Sequence, residues 1–419
     1  MSMSAEPVVP SGPAGPRSRP TPNANENAIY DRAFWYTYVA NTAFTLATAL
    51  MYRYADFVLH LGGTEWNVGL IVGVGMIGSL SMRFFQGFGI DHFGPRRIWL
   101  WSNVAFVAAL TAHLLIHDVH GPSIFLLRVG YATSVAGVFG ASITSISRKL
   151  PLAHAAEAIG MLGTSGFIGM GFGPLLGDVF CGHTPITRGD LNSLFLVAAL
   201  LGLISLGCAE FATRHEPRPR RRRRPPMLWL LWRYHPGSVM LMAIVLGVGL
   251  VIPTTFLPTF IEQYGLEHTG LFFLAYAGTA FIARIATRNL PHTVGVRPMI
   301  YMGLASLAAS LLLYLPVRTQ WGLMVPGMFA GMGHAVLFPS VTAQGSTAFP
   351  DRYRGLGTTL MLAMLDFGMF IGNPLVGRMV EFSKGAGWPP YTTTFVALAI
   401  GVALSGVVFA LTSRAPIRK

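Results

Sequence analysis

Residues 66–97 read WNVGLIVGVGMIGSLSMRFFQGFGIDHFGPRR, and the order of the parts in this stretch predicts the fold. Residues 66–88 are almost wholly apolar, and a helix of about 20 such residues crosses about 30 Å of hydrocarbon. The turn that follows carries Asp91, Arg96 and Arg97, whose charges belong in water or in ion pairs. The stretch therefore predicts a transmembrane helix that ends in a charged loop.

Apolar segments of the same kind recur along the whole chain. Of the 419 residues, 52% are hydrophobic and 11% are charged, whereas soluble domains carry about 25% charged residues. We therefore predict an all-α membrane protein with about twelve transmembrane helices in two six-helix pseudo-repeats. The predicted helices are 34–60, 66–88, 98–117, 123–146, 155–180, 193–212, 238–262, 268–287, 299–316, 321–346, 356–380 and 392–412.

The basic residues cluster in alternate loops. Roughly twenty Lys and Arg side chains fall on one side of the predicted membrane and about four on the other, so the positive-inside rule places both termini in the cytoplasm. The formal net charge of +13 does not indicate nucleic-acid binding, because the basic residues lie between apolar segments rather than on one soluble face. We expect a multi-pass protein of the inner or plasma membrane.

A basic, proline-containing stretch divides the chain into two halves. We predict a disordered cytoplasmic tail at 1–30, an N-terminal six-helix bundle at 31–213, a cytoplasmic linker at 214–236, a C-terminal bundle at 237–413 and a short tail at 414–419. The run Arg220–Arg224 in the linker has two interpretations. It is a solvated determinant of topology or a contact with anionic lipids, which stabilise each nearby basic residue by about 1 kcal/mol.

The two halves also resemble each other in sequence. A shift of 201 residues, or of 200 near the end of each half, superposes glycines, prolines and arginines at equivalent helix positions. The matching pairs include Gly69 with Gly270, Arg83 with Arg284, Gly94 with Gly295, Pro174 with Pro374 and Gly177 with Gly377.

The loop between the second and third helices resembles the hallmark loop of the major facilitator superfamily, G-x-L-x-D-R-x-G-R-R. The matching residues are Gly87, Asp91, Gly94, Arg96 and Arg97, and the departures are Gly89, His92 and Pro95. In the family this Asp faces the start of the eleventh helix, so the resemblance implies a gating latch. The alternative is a solvated turn that caps a helix.

The fifth helix carries a second resemblance. Gly160, Gly169, Gly173, Pro174 and Gly177 follow the family pattern G-x8-G-x3-G-P-x2-G-G, except that Asp178 replaces the last glycine. Among relatives this pattern is associated with antiport, that is, with efflux. The alternative is close helix packing at small residues without any directional meaning.

Several charges fall inside the predicted helices, where each is unfavourable unless it faces protein or water. Arg128 matches a family position implicated in proton coupling, although Ala132 replaces the usual glycine. Arg53 and Asp56 are spaced for an ion pair on one helix face. That pair is a structural one or part of the substrate site.

His334 and Asp366 lie near the middle of the tenth and eleventh helices. Because both side chains can exchange protons, we predict that they form the proton-coupling pair. The alternatives are a buried packing acid and a core histidine. Arg83 and Arg284, at equivalent places in the repeat, are predicted to extend towards the cytoplasm and to help close the gate.

The family resemblance implies a central cavity between the first, fourth, seventh and tenth helices. The candidate lining residues are Tyr36, Asn41, Arg128, Thr254, Thr255 and His334. There is no Walker loop for ATP, and neither Cys181 nor Cys208 has a spacing suited to a metal or cofactor, so none is expected. We predict no enzymatic activity.

The sequence thus predicts a secondary transporter that works by alternating access, with a small organic solute, protons and membrane lipids as partners. Proton-coupled efflux is the first hypothesis. Proton-coupled uptake of an organic anion or a metal chelate is the second. A membrane sensor or scaffold that keeps the fold without transporting is the alternative from another class.

Overall fold

The computed structural model describes residues 31–149, 152–214, 227–350 and 353–413, and within these ranges it contains helices and no strands. For Gly87, Asp91 and Gly160 it describes the backbone alone. The predicted tails at 1–30 and 414–419 and the run Arg220–Arg224 lie outside the described residues.

The first half of the chain forms seven α-helical elements, of which the first two are separated only by the 3-10 turn Met51–Arg53. They are α1 (Arg32–Leu50), α2 (Tyr54–His60), α3 (Glu65–Phe93), α4 (Pro95–Ala112), α5 (Pro122–Lys149), α6 (Leu152–Cys181) and α7 (Arg188–Thr213).

The second half follows the same plan after a short helix in the linker. Its elements are α8 (Met227–Arg233), α9 (Val239–Val251), α10 (Leu257–Gln263), α11 (Gly270–Ala286), α12 (Leu290–Thr293), α13 (Val296–Leu313), α14 (Met324–Thr347), α15 (Arg354–Gly385) and α16 (Pro390–Thr412).

These elements make twelve spans in the described part of the chain, as the sequence predicts. α1 with α2 forms one span, α9 with α10 forms another, and α8 and α12 are short connectors. Nine helices there are long and apolar enough to cross a membrane by their own length and composition. The fold is therefore an all-helical membrane fold of two six-helix bundles.

Two spans are interrupted, which the sequence-based ranges do not show. Between α9 and α10, residues Ile252–Phe256 form a π-helical turn that contains Pro253. Proline lacks the backbone N–H that continues an α-helix, and π-turns inside helices often occur at functional positions. The corresponding break in the first span, Met51–Arg53, lies next to the residues that hold the two bundles together.

Glycines let the two bundles approach closely where α3 packs against α15. A Cβ at Gly73 would lie 2.7 Å from Cδ of Pro374, and one at Gly377 would lie 2.5 Å from the carbonyl oxygen of Glu65. By contrast, Gly169 and Gly173 of the antiport-like pattern face α1 of their own bundle, where a Cβ at Gly173 would lie 2.5 Å from Cβ of Ala49.

The internal repeat is visible in two helix starts. Gly94 precedes α4 with φ 83°, and its counterpart Gly295 precedes α13 with φ 86°. A side chain at a positive φ is strained, so both turns need glycine. Matching positions in the two sequence halves therefore make matching turns.

Candidate functional site at the interface between the two bundles

The membrane-spanning unit has two faces, which we name by the chain ends. The terminal face is the one where the described chain begins at Asp31 and ends at Ser413. The distal face is the opposite one, where α2 leads to α3, α6 to α7, α10 to α11 and α15 to α16. Because twelve spans separate the two described chain ends, both lie on one face.

Arg53 is the centre of a buried ion cluster near the distal face. Its side chain is 3% exposed, and Nη1 donates to Oδ2 of Asp56 at 3.2 Å, which is the ion pair that the sequence spacing predicts. Nη2 donates to Oδ1 of Asp178 on α6 at 2.5 Å. Asp178, the residue that departs from the family pattern, thus completes the cluster.

Asp178 also joins the two bundles. Its Oδ1 accepts from the backbone N–H of Thr269 at 3.0 Å and from the Thr269 hydroxyl at 3.0 Å, and its Oδ2 accepts from the N–H of Gly270 at 2.7 Å. The Thr269 side chain does not cap α11 itself, so a carboxylate from the opposite bundle satisfies the helix start. We call Arg53, Asp178, Thr269 and Gly270 the distal latch.

Further contacts close the distal face around this latch. Arg53 Nη2 donates to the carbonyl oxygen of Glu267 at 2.6 Å. Lys384 at the end of α15 forms an ion pair with Glu65 at the start of α3. The rings of Tyr52 and Phe273 stack with centroids 4.8 Å apart. The structure is therefore closed on the distal side.

Asp366 lies in the middle of α15 and is 4% exposed. Both of its partners belong to α3 in the other bundle: the Ser79 hydroxyl donates to Oδ2 at 2.6 Å and Nε of Arg83 donates to the same oxygen at 2.7 Å. Asp366 and Arg83 thus form one buried ion pair between the bundles, although the sequence predicts a separate role for each.

His334 has a different partner. Its Nδ1 is hydrogen-bonded to the hydroxyl of Tyr276 on α11, and its ring meets the ring of Phe338 edge-on. Within the described residues, no contact joins His334 to Asp366. The structure therefore places the two predicted members of the coupling pair in separate polar clusters.

Two arginines inside the spans contact aromatic rings. The guanidinium carbon of Arg128 lies 4.2 Å from the ring centre of Tyr54 and 4.7 Å from that of Tyr131, and its Nη1 is buried without a hydrogen-bond partner. Arg284 lies 5.2 Å from the ring centre of Phe167 on α6. In the part of the chain that the structure describes, neither arginine pairs with a carboxylate.

The predicted latch on the terminal face is only partly described, because the Asp91 side chain lies outside the described residues. Arg96 forms an ion pair with Glu210 and donates to the carbonyl oxygen of Arg214 at 3.1 Å. Arg97 is exposed. Arg96 therefore holds the start of α4 against the end of α7.

The remaining candidates for lining residues are spread along the first and seventh spans. Tyr36 is exposed and stacks on Phe211 with ring centres 5.6 Å apart. Asn41 and Thr255 are buried. Thr254 donates its hydroxyl to the carbonyl oxygen of Leu250 at 2.6 Å.

Sequence reasoning misses Asp178 and Tyr276 as candidates. For Asp178 the signal is present, because a carboxylate replaces glycine in an apolar helix. Its ligands cannot be read from the sequence, since they belong to a helix start 91 and 92 residues away. Tyr276 has no comparable signal, because a tyrosine among apolar residues resembles any core aromatic side chain.

Twelve spans in two bundles, with buried ion pairs across the bundle interface, define a multi-pass membrane protein. The sequence matches the family model described as Major Facilitator Superfamily over residues 33–317. The chain therefore belongs to the major facilitator superfamily, whose members are transporters rather than enzymes.

Its relatives include exporters. The chain is 22% identical to the staphylopine export protein of Staphylococcus aureus, with 83% of this chain and 89% of that protein covered. It is 28% identical to the quinolone resistance protein NorA of the same species, with 33% and 36% covered. An uncharacterised MFS-type transporter of Burkholderia pseudomallei is 26% identical, with 84% and 85% covered.

Solved structures share the fold. A point mutant of the nucleoside transporter NupG aligns with a TM-score of 0.76 at 13% identity, covering 92% of this chain and all of that one. A peptide-bound POT family transporter aligns with a TM-score of 0.73 at 11% identity, covering 91% and 95%.

Proposed function

We propose that the protein exports a small organic solute by alternating access and that protons moving the other way drive the export. The observation that carries the proposal is the buried pair of Asp366 and Arg83, which joins the two bundles at mid-depth. A titratable carboxylate in such a place is unfavourable unless it has a role. The direction rests on the names of two relatives, an export protein and a resistance protein.

The pair offers a direct way to couple protonation to movement. An ionised Asp366 attracts Arg83 and accepts a hydrogen bond from the Ser79 hydroxyl. A protonated Asp366 can still form hydrogen bonds but loses the attraction between opposite charges. Proton binding therefore weakens the contact between α3 and α15. A proton that favours one arrangement of the bundles over another shifts their equilibrium by its difference in affinity.

His334 enters the proposal as a separate polar residue in the C-terminal bundle rather than as a ligand of Asp366. Arg128 stays a candidate for proton coupling through its family position and its unpaired Nη1. The fifth-helix pattern that is associated with antiport in relatives agrees with the proposed direction. It includes Gly160, Gly169, Gly173 and Pro174.

Asp366→Asn tests the coupling. The variant keeps the volume and hydrogen bonds of the side chain but cannot titrate, so it should exchange solute between two pools and lose accumulation driven by a pH gradient. The measurement is flux in proteoliposomes, with norfloxacin and a drug and metabolite panel as solutes. Glu381→Gln on the same helix is the control, because Glu381 lies 3.7 Å from Arg378 in an exposed ion pair.

Full gradient-driven accumulation by Asp366→Asn would contradict the proposal. Flux in the opposite direction would favour proton-coupled uptake, the second hypothesis. If the wild-type protein transported no compound of the panel, the sensor or scaffold hypothesis would be favoured. Melting temperatures of both variants separate a transport defect from a folding defect.

We also propose that the terminal face is cytoplasmic, as the positive-inside rule implies, and that Arg220–Arg224 contacts anionic lipids there. Membrane-impermeant reagents applied to intact cells should then label cysteines or tags at Arg188 and Lys384 but not at Arg221 or Lys419. External labelling at Arg221 would show that the orientation is the reverse of the one proposed. Labelling after membrane permeabilisation is the control for accessible tags.

A further inference from the structure

The buried carboxylates at the bundle interface already have cationic partners in this structure. Asp178 and Asp56 both contact Arg53, and Asp366 contacts Arg83. Among the described residues, no buried carboxylate at that interface is left over to receive a positively charged solute. The charges inside the spans that lack an ion-pair partner there are cationic instead.

Arg284 is a cation without a carboxylate partner among the described residues, and its guanidinium reaches the other bundle. It follows Gly270 on α11 by fourteen residues, which at 1.5 Å per residue puts it about 21 Å from the distal face. Its guanidinium lies over Phe167 of the other bundle at 5.2 Å. Within the described ranges it makes neither a hydrogen bond nor an ion pair, so its hydrogen-bond donors are available to a solute between the bundles.

The surroundings of Arg284 are aromatic and weakly polar. The rings of Phe167 and Phe281 meet edge-on with centres 6.4 Å apart. Tyr276, eight residues before Arg284 on the same helix, shares a hydrogen bond with His334. A histidine N–H or a tyrosine O–H that this bond leaves free can donate to an anion, and the phenyl rings can stack on a planar body.

The other bundle also presents an unpaired cation. Arg128 lies between the rings of Tyr54 and Tyr131, and its buried Nη1 has no acceptor in the described part of the chain. The two bundles therefore each contribute a guanidinium without a carboxylate. Such an arrangement repels organic cations and attracts anions.

We propose that the transported solute is an organic anion that carries a carboxylate-type group on an aromatic body, and that Arg284 contacts the anionic group. This inference rests on the proposed function, because it takes the space between the bundles as the transport path. A guanidinium can donate two parallel hydrogen bonds to a carboxylate. Phe167 and Phe281 would then contact the aromatic body.

Equilibrium binding tests this inference without any gradient. The purified full-length protein in detergent is titrated with two pairs of compounds that are similar in shape and opposite in charge: fluorescein against rhodamine 123, and 1-naphthoate against 1-naphthylmethylammonium up to millimolar concentration. Fluorescence polarisation reports the first pair and thermal stabilisation the second. The wild-type protein should bind the anion of at least one pair at least about tenfold more tightly than the matching cation.

Arg284→Gln should weaken binding of that anion about tenfold or more and leave the cation unchanged or more tightly bound. Arg284→Lys keeps the charge and should retain part of the preference. Arg288→Gln is the matched control, since Arg288 is an exposed arginine four residues further along, just beyond the end of α11. Melting temperatures and gel filtration show whether each variant is folded.

Equal or stronger binding of the cations, absence of anion binding in both pairs, or an unchanged preference in folded Arg284→Gln would overturn the inference. These outcomes are distinct from failure of the proposed function. Anion binding through Arg284 without pH-driven flux would refute proton coupling alone. Proton-driven flux without the charge preference would refute only the inference about the solute.

Discussion

The distal end and the middle of the bundle interface are held by different kinds of contact. At the distal end, Asp178 accepts hydrogen bonds from the backbone of Thr269 and Gly270. In the middle, the hydrogen-bond partners of the Asp366 carboxylate among the described residues are both side chains, those of Ser79 and Arg83. The backbone donors at the distal end move only with their helix, whereas in the middle both partners of the ion pair are side chains that can change rotamer.

The two regions of the interface therefore have different proposed roles. The distal latch reports the position of α11 relative to α6, so it distinguishes closed from open on that face. Under the proposed function, the pair of Asp366 and Arg83 would respond to protonation and so connect proton binding to the movement. The proposal thus assigns closure and coupling to different carboxylates.

The distal latch also has a counterpart predicted from the family resemblance. Asp178 ends the second span of one three-span unit and binds the start of α11, which is the second span of another such unit. The resemblance gives Asp91, near the end of α3, the same relation to the start of α15. Inverted repeats produce such pairs on opposite faces.

Removing the distal carboxylate should have the largest effect. Asp178→Ala leaves Asp56 as the one carboxylate bound to Arg53 among the described residues and removes the cap from α11. Breaking a buried pair costs about 3–5 kcal/mol, so the equilibrium should shift towards a distal-open state at least a hundredfold. The measurement is the labelling rate of Tyr52→Cys by an impermeant maleimide from the distal side, in a background without Cys181 and Cys208.

Asp118→Ala is the control for this experiment, because Asp118 is an exposed carboxylate on the same face. It should leave the labelling rate unchanged. If Asp178→Ala folds and Tyr52→Cys remains as protected as before, the latch does not hold the distal face closed.

The pair in the middle of the interface should show a smaller effect. A double-mutant cycle with Arg83→Gln and Asp366→Asn isolates their interaction, and residues in direct contact usually couple by about 0.5–3 kcal/mol. The double variant should therefore be less destabilised than the sum of the single changes. Melting temperatures of the four purified proteins supply the measurement, and strictly additive shifts would show that the pair contributes nothing to closure.

The twelve spans could be predicted from the sequence because apolar length is a local property of the chain. The ion pair of Arg53 with Asp56 could be predicted for the same reason, since three residues along a helix bring two side chains to one face. The interruption at Met51–Arg53 could not, because nothing in its composition distinguishes it from a continuous helix.

Partners across the bundle interface were beyond the sequence. Position along α15 predicts the depth of Asp366 and position along α14 predicts that of His334, but neither predicts which neighbour each side chain faces. In the structure Asp366 faces α3 and His334 faces α11. Asp178 illustrates the same limit, since the family pattern assigns glycine to its position and so suggests no ligand for a carboxylate.

Asp91 should have the smallest effect of the three carboxylates. A carboxylate at an exposed helix start stabilises it by about 0.3–1 kcal/mol, because water competes for the N–H groups. Asp91→Asn should therefore fold and express normally, shift the terminal face towards its open state by about twofold to fivefold, and reduce transport.

The shift is measured as the labelling rate of a cysteine at Phe281, which is exposed on α11 in this structure, with Asp31→Asn as an exposed control. Asp178→Asn should instead change the labelling rate on the distal face, which is measured with Tyr52→Cys. Unchanged flux and unchanged accessibility in Asp91→Asn would remove the predicted latch and leave the distal one without its counterpart.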